Sequence, residues 1–305
     1  MDQIHQLYRL FCENFPAAVR EAEHVKHIFS HPEITVLSRR EGDRLIAAAV
    51  VWTNSITMLA VDAPFRHQGI GSELLAQAEA LIHQRGYDSV TVGVGPDYLT
   101  PGVPVRTMSF KEAPKDEILH PALNDEAWQF FVRRGYYNSW DDCNCFDMCM
   151  ELADYPQYPH KIGDAINGIT YRWASTADLP GICECTDAAE EGFTPLYRAS
   201  KLYAASSPHR VLLAELDGRI CGVLQVLFGV EAPSLGSIGC TAVHPDFQGR
   251  HIAVNLVMLG TKALKEAGLP RAYLGYTYSG LEHLYGKAGY KVSCYYAMAE
   301  KNLAD

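Results

Sequence analysis

Residues 59–75 run Leu59-Ala60-Val61-Asp62-Ala63-Pro64-Phe65-Arg66-His67-Gln68-Gly69-Ile70-Gly71 and on through Ser72, Glu73, Leu74 and Leu75. An apolar run ends at Val61, Pro64 breaks it, and two glycines lead into an amphipathic stretch that opens at Ile70. That order allows little except a strand, a turn, a short loop and a helix. It aims the loop N–H groups and the positive end of the helix dipole at one point, and such a point binds phosphate. A degraded second copy occupies residues 242–257, with Val243, His244, Pro245, Gln248, Gly249, Arg250, His251, Ile252 and Ala253 in the corresponding places. Two copies so far apart in a 305-residue chain indicate a duplicated domain. A solenoid repeats every ~20–50 residues.

The same order of elements is expected around both loops. In the first half, apolar periodicity predicts helices over 3–14 and 16–29, strands over 33–39, 45–52 and 55–61, and a helix over 70–85 stopped by Gly86. A strand over 88–93, a helix over 125–134 ended by Gly135 and a strand over 136–151 follow. In the second half, helices fall within 178–205 and a hairpin pairs 210–215 with 220–228 across Asp217-Gly218. Strand 234–243, helix 252–267, strand 271–277, helix 281–288 and a last strand 290–299 complete it. The expected domains are 1–153 and 167–305. Residues 154–166 form the linker, where Pro156 and Pro159 favour an extended connection. A Pro- and Gly-rich stretch over 95–124 interrupts the first half. A loop of that length is functional or mobile.

The chain is 48% hydrophobic, enough for a core in each half. It carries 36 acidic against 26 basic residues, a net charge of −10. That balance argues against nucleic-acid or anionic-membrane partners and is compatible with a cationic small substrate. The start has no signal-peptide pattern, and the longest apolar run, 45–52, is too short to span a bilayer. With nine cysteines, an odd number, the expectation is reduced thiols in a cytoplasm. Cys143, Cys145, Asp147 and Cys149 alternate as one face of a strand. Zinc sites use paired Cys-x-x-Cys turns, which this run lacks, so no metal is expected.

In this context Arg66-His67-Gln68-Gly69-Ile70-Gly71 resembles the acetyl-CoA loop of the GCN5-related N-acetyltransferase (GNAT) superfamily, Arg/Gln-x-x-Gly-x-Gly/Ala. Each half resembles a member, so the resemblance covers nearly the whole chain as two tandem copies. It implies two mixed-sheet α/β acyltransferase domains with acetyl-CoA as co-substrate. The cofactor-binding residues it implies are Val61, Arg66, His67, Gln68, Gly69, Ile70 and Gly71 in the first half. In the second they are Val243, Gln248, Gly249, Arg250, His251, Ile252 and Ala253. The physics agrees: amides and a helix dipole neutralise a pyrophosphate without a lysine, and Gly69 and Gly71 let the backbone approach it. His251 stands where the family has glycine. Its side chain crowds the phosphates, needs a different backbone path, or points outward and contacts phosphate. The resemblance also places the acetyl-pantetheine arm between splayed fourth and fifth strands, which makes the backbone N–H of Val243 the candidate for polarising the acetyl carbonyl.

Acetyl transfer to an amine needs a neutral nucleophile, a stabilised oxyanion and a proton for the leaving thiolate. In the superfamily a tyrosine on the fourth helix commonly gives that proton. Counting back from Gly289 and Gly135 sets Tyr285 opposite Phe131, and phenylalanine has no proton to give. The second half is therefore expected to be catalytic. The first is expected to support it, binding acetyl-CoA or using its cleft in another way. Glu190 and Glu191 are the candidate bases and equally a solvated helix face. Tyr276 and Tyr278 are candidates for substrate binding or packing, and His244 reads as structural. The run from Tyr98 to Pro104 resembles a segment of tandem bacterial acetyltransferases associated with glucosamine and cell-wall sugar salvage. That favours an amino sugar as the small-molecule amine. Aminoglycoside, polyamine and protein or peptide acceptors remain alternatives, as does a non-catalytic acetyl-CoA-binding module. The oligomeric state is left open.

Overall fold

The computed structural model describes residues 2–303 apart from 19–21, 97–98, 107–116, 141–142, 156–162 and 164, and apart from the side chains of 191, 200, 201, 231 and 232. The helices are α1 (Gln3–Asn14), α2 (Ala22–Phe29), α3 (Ile70–Gln84), α4 (Glu126–Val132), α5 (Leu179–Ala189), α6 (Thr194–Tyr197), α7 (Ile252–Glu266) and α8 (Glu282–Gly286). The strands of the first half are β1 (Thr35–Glu41), β2 (Arg44–Trp52), β3 (Ser55–Val61), β4 (Ser89–Val92), β5 (Val103–Val105), β6 (Tyr137–Asn138) and β7 (Cys145–Glu151). Those of the second are β8 (Ala165–Ile166), β9 (Ile169–Trp173), β10 (His209–Leu216), β11 (Arg219–Ala232), β12 (Leu235–Val243), β13 (Arg271–Tyr278), β14 (Lys291–Ala297) and β15 (Ala299–Asn302).

The chain divides into two compact units. Unit 1 joins Met1–Phe146 to Ser293–Asp305. Its sheet runs β1-β2-β3-β4-β15-β6. β1, β2 and β3 form an antiparallel meander, and β4 joins β3 in parallel. The run Leu45 to Val51 on β2 is buried at every position, as a strand covered on both faces requires. Leu7, Leu10 and Phe11 of α1 pack there with Val25, Ile28 and Phe29 of α2. α1 opens on Asp2, whose carboxylate accepts the N–H of His5 at 2.9 Å, an N-cap. α3 buries Leu74, Leu75, Ala78 and Ile82, and contacts β1, β2, β3 and β4.

Unit 2 is Asp147–Val292. Its part of the second sheet runs β7-β13-β12-β11-β10-β9-β8. The β10–β11 hairpin turns through Asp217 at φ 52° and Gly218 at φ 77°, the left-handed pair that an Asp-Gly turn supplies. α7 buries Ile252, Leu256, Val257, Met258 and Leu264. Ile182 of α5 and Tyr197 of α6 sit in a second cluster with Val211, Leu213 and Val223.

Several expectations need correcting. The helix expected over 16–29 begins at Ala22 within the described residues. The single strand expected over 136–151 is two, β6 and β7, and the last strand is also two, β14 and β15. The units are not cut at 153 and 167. The cut falls between Phe146 and Asp147, and the chain from Ser293 onward belongs to unit 1. There β15 pairs with both β4 and β6, while Val103–Val105 pairs with Ala297–Tyr295. Apolar alternation marks a strand but carries no information about which sheet edge receives it. Of the expected linker, Tyr155 and Gly163 are anchored inside unit 2: the Tyr155 hydroxyl donates to Met258 O at 2.8 Å, and Asn255 Nδ2 donates to Gly163 O at 3.2 Å.

Within the cysteine run, Cys143 precedes the strand and Cys145 is buried on it. Asp147 of β7 accepts the Tyr273 hydroxyl at 2.6 Å and the Tyr276 N–H at 2.9 Å. Among the described residues no group of three His, Cys, Asp or Glu side chains could hold a metal ion. None of the described helices is long and apolar enough to cross a membrane.

Because β15 fills the gap between β4 and β6, ending the chain after Met298 should strip both neighbours of their ladder bonds, at about 1 kcal/mol per bond. Unit 1 should then melt several degrees earlier and become protease-sensitive ahead of unit 2. Thermal denaturation with limited proteolysis checks this; a truncated protein with the full-length melting profile would refute it.

Candidate active centres

Each unit holds one loop of the kind that opened the sequence, and the two have the same backbone path. A 3-10 turn follows the strand, Ala63–Phe65 in unit 1 and Pro245–Phe247 in unit 2. The helix N-cap is left-handed in both, Gly69 at φ 84° and His251 at φ 60°. The first helical bonds match: Glu73 N–H to Gly69 O at 3.0 Å, Asn255 N–H to His251 O at 3.1 Å. Of the three outcomes for His251, a different path is therefore excluded. The residue takes the glycine conformation, and its side chain is exposed. Histidine is among the non-glycine residues that enter this region most readily.

The strands beside the loops separate. β3 and β4 pair only at Ser55–Thr91 and Ile56–Val92. β12 and β13 pair at Leu235–Arg271, Gly236–Ala272 and Ser237–Tyr273. Beyond those residues each first strand continues to the loop without its parallel neighbour. Val243 faces Gly222 across the β11–β12 ladder, and the next bond runs from His244 N–H to Cys221 O at 3.0 Å. That pattern makes Val243–Gly222 a non-hydrogen-bonded pair, so the Val243 N–H points to the other edge of β12, into the opening. In unit 1, Val61 faces Ala47 and Asp62 N–H donates to Ile46 O at 2.8 Å, which turns the Val61 N–H the same way.

The fourth-helix residues are structurally equivalent. Tyr136 N–H donates to Phe131 O, and Tyr290 N–H to Tyr285 O, both at 3.3 Å. Each ring meets the next tyrosine edge-on, with centroids 5.1 Å apart in unit 1 and 6.3 Å in unit 2. The difference is the hydroxyl. Tyr285 is 4% exposed, and its oxygen lies 3.3 Å from Thr241 Oγ1. Burial, with smaller contributions from Cys240 and Tyr278, pushes its pKa up to about 12, against the Thr241 bond that lowers it. The phenol stays protonated across the working range of pH.

Thr241 belongs to a bulge. The register moves from Val223–Ala242 to Gln225–Gly239, leaving Cys240 and Thr241 opposite Leu224 alone. Cys240 has φ 49°, and the buried Tyr197 donates its hydroxyl to the Cys240 carbonyl. Bulges of this kind re-aim side chains near functional sites. Sequence reading missed Cys240, Thr241 and Tyr197: a left-handed cysteine and a one-residue register offset leave no compositional trace. It also missed Asp62, 1% exposed, which takes Arg9 Nη1 at 3.0 Å and Arg44 Nη2 at 2.8 Å where β3 ends.

The other candidates are dispersed. Tyr276 and Tyr278 are exposed on β13 with buried Thr277 between them. Tyr276 is held at φ 55°, and Tyr278 contributes to the environment of Tyr285. Glu190 is exposed at the end of α5, with its N–H bonded to Thr186 O at 2.8 Å; the side chain of Glu191 lies outside the described residues. His244 Nδ1 accepts the Asp246 N–H at 3.2 Å and its ring packs on Phe247, a capping role. Gln248, Gly249 and Arg250 are exposed along the loop, while Ile252 anchors α7 and Ala253 is half-buried.

Unit 1 carries a cleft of about 550 Å³. Arg66, His67, Gly69 and Gly71 line it together with Val61, Phe130 and Phe131. Arg66 spans from Val61 O at 3.1 Å to Asn14 Oδ1 at 2.8 Å. Arg134 stacks on Phe130 at 3.8 Å. Gln68 Nε2 donates to Pro64 O at 3.1 Å. Ile70 begins α3.

The Acetyltransferase (GNAT) family matches residues 4–103 and 177–290. No curated protein matches the sequence. Among solved structures, a glucosamine N-acetyltransferase region of a fungal multi-domain β-N-acetylglucosaminidase aligns at TM-score 0.73 and 15% identity, over 98% of this chain and 37% of the other. A GCN5-related N-acetyltransferase from Sphaerobacter thermophilus aligns at 0.68 and 20% identity, covering 98% and 92%. A tandem GNAT protein of the clavulanic acid biosynthesis pathway aligns at 0.72 and 15%, covering 99% and 95%. At these identities the likeness concerns the fold.

His251→Gly removes the strain of a left-handed side chain, so unit 2 should gain about 1 kcal/mol, or ~2–4 °C in Tm. Calorimetry on the full chain measures it; a lower Tm would show that the imidazole stabilises the loop.

Proposed function

Because the chain belongs to the Acetyltransferase (GNAT) family, enzymes whose co-substrate is acetyl-CoA, we propose that it acetylates the primary amine of a small molecule and that unit 2 performs the chemistry. The observation that carries this reading is the buried Tyr285 hydroxyl beside Thr241 on the bulged strand.

The pyrophosphate of acetyl-CoA rests on Gln248, Gly249, Arg250, His251, Ile252 and Ala253, with the α7 dipole behind it. Val61, Arg66, His67, Gln68, Gly69, Ile70 and Gly71 form the equivalent cradle of unit 1. The neutral amine attacks the thioester carbon and a C–N bond forms. The Val243 N–H donates to the developing oxyanion. Collapse breaks the C–S bond, and the sulfur takes its proton from Tyr285. The amine proton leaves through Glu190, Glu191 or water. A phenol near 12 is a weak acid against an ordinary thiol at about 8.5. The same dry surroundings raise the basicity of the departing thiolate, however, which keeps donor and acceptor matched.

The acceptor we propose is an amino sugar such as glucosamine, with Tyr276 and Tyr278 contributing to its binding. Support comes from the net charge of −10, which favours a protonated amine during approach. It comes also from the fold shared with the fungal glucosamine N-acetyltransferase region, and from the run ending at Pro104, of which Tyr98 lies outside the described residues.

Free-thiol release from acetyl-CoA across glucosamine, aminoglycosides, polyamines and a lysine peptide tests the acceptor. Glucosamine should turn over fastest. Turnover of the peptide alone would replace the acceptor class, and acetyl-CoA binding without turnover of any amine would favour a non-catalytic module. Tyr285→Phe should lower kcat about 10²-fold with little change in KM for acetyl-CoA; unchanged kcat removes Tyr285 as the acid. Since burial raises the phenol pKa, the donor is lost only as pH climbs toward 12. The kcat profile should rise as the amine deprotonates and show no tyrosine-dependent fall below about pH 11.

A further inference from the structure

We propose that the cleft of unit 1 binds an acyl-CoA whose acyl chain is longer than acetyl, and holds it without turning it over. The inference rests on the acyl-CoA reading of the loops above.

The two ends of the cleft differ in chemistry. At the loop end stand the α3 N-terminus, the left-handed Gly69 and the side chains of Arg66, His67, Arg133 and Arg134. The two carboxylates of that rim are already engaged, Glu126 with His67 at 3.3 Å and Glu13 with Arg9. Farther back along β3, β4 and β5 the lining is apolar: Met58, Val92 and Val103, with Leu123, are each less than a tenth exposed. Among the described residues lining the cleft, no buried one is titratable.

Thr57 lines the cleft next to Met58 on β3. It is the extra residue of the β3 bulge, where the register moves from Val50–Met58 to Val51–Ile56. The side chain is 1% exposed, lines the cleft, and its Oγ1 has no hydrogen-bond partner among the described residues. A buried hydroxyl left in that state asks for an acceptor from a ligand.

A molecule that satisfies all three regions has a phosphate head, one carbonyl and an apolar tail. Acetyl-CoA supplies the first two but ends one methyl past the carbonyl, so most of the apolar lining stays unfilled. A medium-chain acyl group fills it and gains from each buried methylene. An acceptor amine, by contrast, would meet neither carboxylate nor imidazole among the described residues of that end, and Phe131 cannot protonate a departing thiolate. Binding is served and turnover is not.

Calorimetric titration of the full chain with octanoyl-CoA, acetyl-CoA and free CoA tests this. Octanoyl-CoA should bind at least tenfold more tightly than acetyl-CoA, at a site lost in Gly71→Trp, whose indole is built into the contact with Val61 and Phe130. Thr57→Val keeps the side-chain shape and removes a hydroxyl that has no partner, so the variant should fold. It should weaken octanoyl-CoA severalfold and leave free CoA, which has no acyl carbonyl, unaffected. No thiol should be released from octanoyl-CoA with the amine panel. Equal affinities for octanoyl- and acetyl-CoA, octanoyl-CoA binding that survives Gly71→Trp, or an equal loss of octanoyl-CoA and free CoA in Thr57→Val would overturn the inference. If acetyl-CoA turnover persists meanwhile, the acetyltransferase reading stands; if no CoA species binds at all, that reading falls too.

Discussion

Both units depend on a parallel strand pair that holds together for two or three residues and then separates. In unit 1 the pairing stops at Ile56–Val92, and in unit 2 at Ser237–Tyr273. A strand that loses its neighbour has backbone N–H groups with no ladder partner. Val61 and Val243 are the residues where this falls nearest the anion loop. The separation thus creates in one place a slot, a donor inside it and, at its mouth, the loop we propose as the phosphate cradle. Antiparallel pairing on the other side, β2 with β3 and β11 with β12, keeps the first strand from closing the slot.

What holds the slot open differs between the units. In unit 2 it is polar and tightly tied. Tyr197 grips the Cys240 carbonyl, Asp147 takes both the Tyr273 hydroxyl and the Tyr276 N–H, and Tyr285 leans on Thr241. Each bond fixes a local backbone irregularity or a phenol, which is the investment expected where a hydroxyl has to be placed. In unit 1 the equivalent ring is Phe131 and the polar ties move to the rim, at Asp62 and Arg66. One duplicated frame therefore supports two kinds of cleft, and a single oxygen atom at the fourth helix separates them chemically.

The anion loops show how a backbone can outlast its sequence. Gly69 and His251 differ greatly in size and polarity, yet both cap a helix from the left-handed region. The 3-10 turn before and the isoleucine-led helix after fix the ends of the loop, and the residue between takes the conformation left to it.

Much of the fold was legible because its signals are local. The strand over 55–61, the helix starting at Ile70, the Asp-Gly hairpin and the pairing of Tyr285 with Phe131 all follow from apolar period, turn chemistry and a stop at glycine. Those short-range rules determine the two tandem domains, the two strand-turn-helix loops and the unequal fourth helices. Tertiary structure alone decided the rest. The strand Ala299–Asn302 is no more apolar than other strands, yet it closes the sheet of unit 1 between β4 and β6, because edge pairing depends on which ladder is open in space. The Cys240 bulge, the burial that raises Tyr285 and the carboxylate of Asp147 beneath β13 join residues far apart in the chain. No periodicity records such meetings, since they arise from packing between elements and not from the order of residues within them.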